Sequence, residues 1–549
     1  MRFLPPKIDF SREEAAEREI GSTSVRPFVR RFLAAAFLLT IAAVPAVQYV
    51  HEAVRTRQLK PRALDFLSAF PAAGQEFVRA DGIAGGVAAA SASLRRDFKA
   101  FEKSLEDESL LVRHALPPVQ EFAARFLGLG NEKVYLGRDG WLFYRPDVDY
   151  VAGPGFLDPA VLRERGKGSG IHPDPLPAIV RFREDLAARG IRLLVVPVPV
   201  KPVIEPEHMS ARRHANGNPP QNPSYPRFLA DLRRNGIDAL DITPVLAADK
   251  AADGIPCFLK TDTHWSPRTV ERVAELIAEG TRIVPGAPGS AFRRGLSKKV
   301  TNAGDLAVML RLSPQSTLFP RETVEIRPVT EAGGAPWRAD PAAEILVLGD
   351  SFTNVYSGED LGWGTGSGLA EQLSFALQRP VDRIAVNAGG AYTARQTLAR
   401  SPGRLAGKRL VIYEFAMRDL ASGDWKVTPL AEPKAEEAPA ASTVTGVIRE
   451  ISRAPRPGTV PYKDLLICLH LDSIENFPFQ EILVFLPGMK NNVLTAATSL
   501  APGRRVTLRV VPWNTVEEKT GTINRIELAG PAADIGEVYW AGDLPSIPP

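Results

Sequence analysis

Three short segments of the 549-residue chain carry side chains suited to acyl transfer. The first is Gly349-Asp350-Ser351-Phe352, where the apolar run EILVLG delivers a serine into a glycine-containing turn. Open α/β sheets gather reacting groups at the carboxyl ends of their strands, so a nucleophile is well placed there. Taken alone, Gly-Asp-Ser reads as an ordinary turn whose aspartate or serine caps a helix. The second segment is Asp262-Thr263-His264-Trp265. Residues i and i+2 of an extended stretch point the same way, which sets the Asp262 carboxylate beside the His264 imidazole. Serine chemistry needs such an oriented general base. The plainer alternative has Asp262 capping the turn and His264 packed under Trp265. The third segment is Asn387-Ala388-Gly389-Gly390. Adjacent glycines let backbone N–H groups approach a ligand as an oxyanion hole, with the Asn387 amide as a further donor. A tight strand-to-helix turn needs the same glycines for its dihedrals alone. Arg395 and Arg418 follow strand ends and are candidate guanidinium donors, against the commoner solvated surface arginine.

Other reactive side chains read as structural. His208 and His214 sit in a polar, proline-rich loop and are expected to face solvent. Lys298-Lys299 and Arg504-Arg505 are solvated charge pairs, and His470 alternates within an apolar strand as a core or edge residue. Two cysteines, Cys257 and Cys468, exclude a disulfide-rich scaffold and a thiolate zinc site, while a single bridge stays open. No metal or soluble cofactor is expected.

These segments need a framework to bring them together. Residues 175–189 read as an amphipathic helix closed by Gly190, and the continuous apolar run IRLLVVPVPV follows it, as in buried parallel strands. A helix near 226–235 leads to the strand 237–242, and Ser266-Pro267 caps a helix ending at Gly280. Strands at 344–350, 383–387 and 409–415 interleave with helices near 367–378 and 391–400. Five strands alternating with helices give a three-layer α/β/α domain over about 132–425, with 281–340 as a less regular insertion. KVYLGRDGWLFY, 133–144, carries a hairpin signal around Arg138-Asp139-Gly140. Residues 426–442 are a Pro/Ala/charge linker, and the β-rich runs of 443–549 suit a small OB-like barrel.

Upstream, residues 32–50 form a nineteen-residue run without charge, long enough to cross a hydrocarbon core. Arg26, Arg30 and Arg31 precede it, so 1–31 are expected as a cytoplasmic tail and 32–50 as a single-pass inner-membrane signal anchor. The catalytic domain then lies in the periplasm. A cleaved signal peptide is the competing reading, from Val44-Pro45-Ala46. Residues 51–131 read as a helical stalk, with Leu94, Phe98, Phe101 and Leu105 on one face and prolines at 61, 71 and 117–118 as breaks.

The order and wording of these motifs resemble the SGNH hydrolase-like domain of the alginate O-acetyltransferase AlgJ/AlgX family. YLGRDGWLFY, VVPVPVKPVIEPE, TDTHWSP, GDL at 304–306, VLGDSFTNVYS, GWGTGSGLAEQL and VNAGGA occur in the family's order. The resemblance implies an SGNH-type domain over 132–425, with Ser351 as nucleophile, His264 as general base and Asp262 as the orienting acid. Its Asp-x-His precedes its serine, the reverse of ordinary SGNH esterases, and this chain has that order. Lys201 matches a basic family position, and Tyr413, Glu414 and Arg418 fall near its final strand. The implied activity is O-acetylation of an exported polysaccharide through an acetyl-serine intermediate. A multi-pass membrane-bound O-acyltransferase is the implied partner supplying acetyl groups. An acetyl esterase using the same triad, and a noncatalytic carbohydrate-binding subunit of an export complex, are the alternatives.

Composition narrows the remaining classes. At 44% hydrophobic and 24% charged, the chain can bury a sizeable core, so wholesale disorder is excluded. Its 67 basic and 63 acidic residues, net +4, leave no electrostatic argument for nucleic acid, and no nucleic-acid partner is expected.

Overall fold

Apolar runs with no polar alternation build the centre of the molecule. In the computed structural model these runs form the three central strands of five, β1 (Arg192–Val198), β3 (Ile345–Gly349) and β5 (Leu410–Ala416), with the short β2 (Asp238–Ala239) and β4 (Asp382–Ala385) at the edges. They form one sheet in the order β4-β3-β5-β1-β2, with every neighbouring pair parallel. Every residue of β3 and β5 is buried. Successive residues of a strand face opposite sides, so both faces of the sheet are covered, which is the expected three-layer arrangement. Four helices matter most to the site: α1 (Pro175–Ala187), α2 (Pro267–Thr281), α3 (Ser351–Asn354) and α4 (Gly390–Ala399). Asp174 caps α1 by accepting from the Leu176 N–H, and Ser266 caps α2 by accepting from Thr269 N.

The structure describes residues 26–56, 66–67, 69–79, 82–167, 170–210, 219–430, 441–475, 477–528, 532–533 and 535–542. The chain divides into two compact units, 1–116 and 117–549. In the first, helices Ala69–Arg79 and Gly82–Glu108 pack through aromatic side chains, Phe98 lying 5.8 Å from Phe70 and 6.3 Å from Phe66. Phe98 and Phe101 thus do the packing expected of their shared face. Pro117 and Pro118 lie inside helix Leu110–Leu127 instead of ending it, and Pro61 lies outside the described residues.

The expectation of a single-pass inner-membrane anchor, with a periplasmic catalytic domain, is corrected. Among the described residues no helix is long and apolar enough to cross a membrane. Residues 32–50 do fall within a helix, Pro27–Thr56. Absence of charge is not uniform apolarity, however: Thr40, Pro45 and Gln48 interrupt the run. Gln48 near its end accepts a hydrogen bond from the Leu110 N–H at 2.9 Å, a protein contact and not a lipid-facing one. Most of the expected cytoplasmic tail lies outside the described residues.

In the second unit the 133–144 hairpin forms as expected, Val134–Leu136 pairing antiparallel with Leu142–Tyr144. Residues 281–340 carry two nested two-stranded antiparallel sheets, Phe292–Arg294 on Val329–Glu331 and Lys298–Asn302 on Glu322–Ile326. At the C-terminal end, β6 (Ser442–Ile451), β7 (Leu465–Glu475), β8 (Ile482–Lys490), β9 (Arg505–Pro512) and β10 (Val538–Ala541) close a five-strand barrel. The ring runs β6-β7-β8-β10-β9 and back to β6, with only β8 and β10 parallel. Its interior is filled by Val444, Ile467, Leu469, Val484, Leu486 and Leu508, among others. Most of the linker, 431–440, lies outside the described residues. Cys257 and Cys468 are both free and buried, so no bridge joins them.

Candidate active site

A parallel sheet places the ends of all its strands on one edge, and here that edge collects the polar residues. β3 ends at Gly349 and is followed by Asp350 and Ser351; β4 leads to Asn387, β5 to Arg418 and β1 to Lys201. Asp350 caps α3, its carboxylate accepting from the Phe352 N–H at 2.8 Å, and Ser351 is the first residue of that helix. The Glu414 carboxylate on β5 accepts from the Asp350 N–H at 3.1 Å and from the Thr353 hydroxyl at 2.6 Å. Burial, and then the Asp350 charge, push the Glu414 carboxyl well up. A Cβ on Gly349 would meet Thr353 Oγ1 at 2.1 Å and Glu414 Oε2 at 2.6 Å. Gly349→Ala is therefore expected to destabilise the fold by about 1–3 kcal/mol through overpacking. A urea midpoint unchanged from wild type would contradict this.

The 262–264 segment is held to the same edge from several directions. His264 Nδ1 lies 2.7 Å from Asp262 Oδ1, as the i, i+2 spacing predicts. The other carboxylate oxygen of Asp262 accepts from the Trp363 indole and the Asp305 N–H, each at 2.9 Å. Trp265 Nε1 donates to the Phe352 carbonyl at 3.1 Å, and the Tyr356 hydroxyl donates to the Trp265 carbonyl at 2.7 Å. These bonds dock the histidine segment on the serine helix, with the His264 ring 4.9 Å from that of Phe352. His264 Nε2 is buried and has no hydrogen-bond partner. No hydrogen bond links it to Ser351 Oγ.

Electrostatics separate the two groups. Burial raises the Asp262 carboxyl, but the His264 charge and the Trp363 and Asp305 hydrogen bonds outweigh it and hold it at about 2. Burial lowers the His264 imidazole, yet the Asp262 carboxylate beside it wins, and the ring is more basic than usual. Asp305, whose carboxylate lies 4.0 Å from His264 Nδ1, is pushed up to about 6 by burial and by Asp262.

Lys201 acquires a physical role. Fully buried, its ammonium donates to the carbonyls of Leu142 at 2.6 Å, Lys260 at 3.1 Å and Asp262 at 2.8 Å. It ties the 133–144 hairpin to the Asp262 backbone. Burial pulls it down to about 8, against the pull of Glu322, Asp262, Asp305 and Asp147. Lys201→Met keeps the stem and orphans buried carbonyls, an expected loss of about 1–3 kcal/mol in chemical denaturation. A stability equal to wild type would sink this role.

The remaining candidates divide. The Asn387 amide donates to the Thr522 carbonyl at 3.0 Å, and its oxygen accepts from Asn354 of α3 at 3.0 Å, so both of its ends are engaged. The Gly389 N–H donates to the Val386 carbonyl at 3.2 Å, and Gly390 (φ +58°) opens α4. The Gly390 N–H belongs to the helix start, where no intrahelical partner exists. Arg395 is buried, donating to the Tyr413 hydroxyl and the Lys426 carbonyl, both at 3.1 Å. None of its hydrogen bonds reaches 262–264 or 350–354. Arg418 pairs with the fully buried Asp147 at 3.0 Å, its guanidinium 5.4 Å from the Phe352 ring centre. Neither arginine is the solvated surface side chain that residue type suggests. His208 stacks on Trp141 at 4.1 Å and stays partly exposed, and His214 lies outside the described residues.

Sequence reasoning missed Asp147, Asp305 and Glu322. Glu322, from the irregular insertion, accepts from the N–H groups of Lys260 and Thr261 at 2.8 and 2.6 Å. For Asp305 a signal existed, the GDL at 304–306, but no local pattern gives it a role.

The parallel sheet, the serine turn at the end of β3 and the Asp-x-His docked beside it define the SGNH hydrolase-like class. Residues 134–417 match the family model described as SGNH hydrolase-like domain, acetyltransferase AlgX. The chain belongs to that family. It is 31% identical over 227 residues to the probable alginate O-acetylase AlgJ of Pseudomonas aeruginosa, covering 40% of this chain and 53% of that protein. To the alginate biosynthesis protein AlgX of the same organism it is 29% identical over 249 residues, covering 43% of this chain and 48% of that one. The chain thus spans about half the length of these relatives. Against the solved O-acetyltransferase domain of Pseudomonas putida AlgJ it gives a TM-score of 0.39 at 23% identity, covering 53% of this chain and 92% of that domain.

Proposed function

We propose that this chain is a polysaccharide O-acetyltransferase working through Ser351, His264 and Asp262. One observation carries the reading: the Asp262–His264 contact leaves a buried, unpartnered Nε2 on a ring packed against Phe352, the residue after Ser351. His264 Nε2 takes the Ser351 proton as Oγ attacks the acetyl carbonyl. The leaving group departs with that proton, and an acetyl-serine remains. A sugar hydroxyl then attacks the ester, its proton passing to His264 and on to Ser351 Oγ as the acetyl group leaves. The N–H groups of Ser351 and Gly390 are assigned to the developing oxyanion. Because relatives carry the name alginate O-acetylase, alginate oligosaccharides are the first acceptors to test. The acetyl donor in this proposal is a second protein of the membrane-bound O-acyltransferase kind.

The test incubates the purified chain with a chromogenic acetyl ester and an oligosaccharide, with Ser351→Ala as control, and weighs the sugar by mass spectrometry. A Ser351-dependent gain of one acetyl group on sugar is the expected result. Free acetate without transfer would make the protein an esterase, and no Ser351-dependent turnover by folded protein would make it a noncatalytic subunit.

A further inference from the structure

We propose that the C-terminal barrel is a positioning element of the active site, acting through Asn387 on the serine helix, and not a tethered polymer-binding module. The inference rests on the function proposed above. Its core is a relay of buried amides. The Thr522 carbonyl, on the segment between β9 and β10, accepts from Asn387 Nδ2 at 3.0 Å. Asn387 Oδ1 accepts from Asn354 Nδ2 at 3.0 Å, and that same amide also donates to the Ala385 carbonyl at the end of β4 at 3.1 Å. Asn354 sits three residues after Ser351 in α3. Asn354 and Asn387 are 2% and 3% exposed, so water does not compete for these bonds. The barrel carbonyl therefore orients the Asn387 amide, whose oxygen holds Asn354 of the serine helix, and Asn354 in turn holds the strand end at Ala385.

A second, independent set of contacts clamps the barrel to α4. Gln396, Thr397 and Arg400 fall on one face of its helical pattern. Gln396 Nε2 donates to the Ala533 carbonyl at 2.5 Å, Thr397 Oγ1 accepts from Arg525 at 2.7 Å, and Arg400 pairs with Glu527 at 3.2 Å. Just beyond, Arg404 bridges Asp382 at the start of β4 to Glu517 at 2.6 Å. Side-chain exposure is 8% and 16% for Arg400 and Glu527, and 13% and 9% for Arg404 and Glu517. A module that swings free on a linker exposes its contact charges to water. Charges buried in pairs are costly to separate, so this interface is built to stay shut. Both ends of the element carrying the candidate oxyanion turn, β4 and α4, are thus tied to the barrel.

The experiment uses the full chain with the paired substitution Glu517→Ala and Arg525→Met, neither residue being part of the proposed chemistry. A chromogenic acetyl ester, too small to need a polymer-binding surface, and an oligosaccharide acceptor are assayed side by side, with circular dichroism confirming the fold. Expected is a fall of about 10- to 100-fold in kcat on the small ester, the scale of sub-ångström to 1 Å misplacement, with the oligosaccharide KM unchanged. Hydrogen exchange of the 385–391 amides is expected to speed up, and Arg525→Lys with Glu517 intact is expected to recover most of the activity. An unchanged ester kcat with a raised oligosaccharide KM makes the barrel a binding module and overturns the inference, as does a variant identical to wild type. Wild type without any Ser351-dependent turnover fails the functional reading instead. In that case the exchange rates at 385–391 still decide whether the barrel holds the turn. If the paired variant does not fold, Glu517→Gln alone is assayed in the same way.

Discussion

His264→Ala is expected to lower kcat for acetyl-ester turnover by about 10²–10⁴-fold, the usual worth of general-base assistance. Ser351→Ala is expected to remove the covalent route altogether, leaving only the background that binding and oxyanion contacts provide. The two losses are not expected to add, because a serine without its base and a base without its serine fail at the same step. The double variant therefore matches the worse single variant. Additive losses would mean that the two side chains act in separate steps, against the shared mechanism. The geometry supports this reading because the bonds from Trp265 to Phe352 and from Tyr356 to Trp265 hold the two segments as one body. Truncating either side chain to alanine leaves those backbone-directed bonds in place, so folding is expected to survive.

Asp262→Asn is expected to cost as much as about 10⁴-fold, although it changes one atom. An amide in place of the carboxylate no longer selects the tautomer that leaves Nε2 able to accept a proton. A pH profile supplies the sign. In wild type the Asp262 charge raises His264 above its ordinary 6.5, and the neutral base is the active form. The kcat/KM limb therefore rises with pH at a midpoint above 6.5. With Asp262→Asn, burial is opposed only by more distant charge, so the limb moves to lower pH while its plateau drops. A plateau that drops with an unmoved limb would mean that Asp262 is structural and does not control the base. Stability follows the same pair. The depressed Asp262 contributes stability that is present above its ordinary 3.8 and lost as pH falls towards about 2. The raised His264 contributes stability that is present below 6.5 and lost as pH rises through its folded value.

Much of the fold was legible because local rules agree with the global outcome. Dominantly apolar runs such as LVIY, 410–413, can be satisfied only with both faces covered, and β5 is buried at every residue. Ser266-Pro267 marked the start of α2 because the cap and the proline-tolerant first turn are local chemistry. The nineteen-residue uncharged run misled, since charge count and length were read as apolarity although Thr40, Pro45 and Gln48 interrupt it and Gln48 is held by the Leu110 N–H. Residue type misled in the same way for Arg395, which is buried, and for Arg418 and His208, which are half-buried against Asp147 and Trp141, residues distant in sequence.

By itself the sequence determined the elements, the order of the motifs and the Asp262–His264 pairing, because each depends on spacings of a few residues. The barrel was readable for the same reason, its strands being β-rich runs separated by turn residues. Only the tertiary structure decided what surrounds the pair. Asp305 and Glu322 come from an irregular insertion, Lys201 from the end of β1, and Thr522 from the barrel 135 residues beyond Asn387. Hydrogen bonds across such separations depend on how strands are ordered in the sheet and how the barrel docks. Burial then sets their strength, since a carboxylate or ammonium shifts its charge balance only once water is excluded. The reactive residues are thus written locally, while the forces that hold and tune them arise from packing.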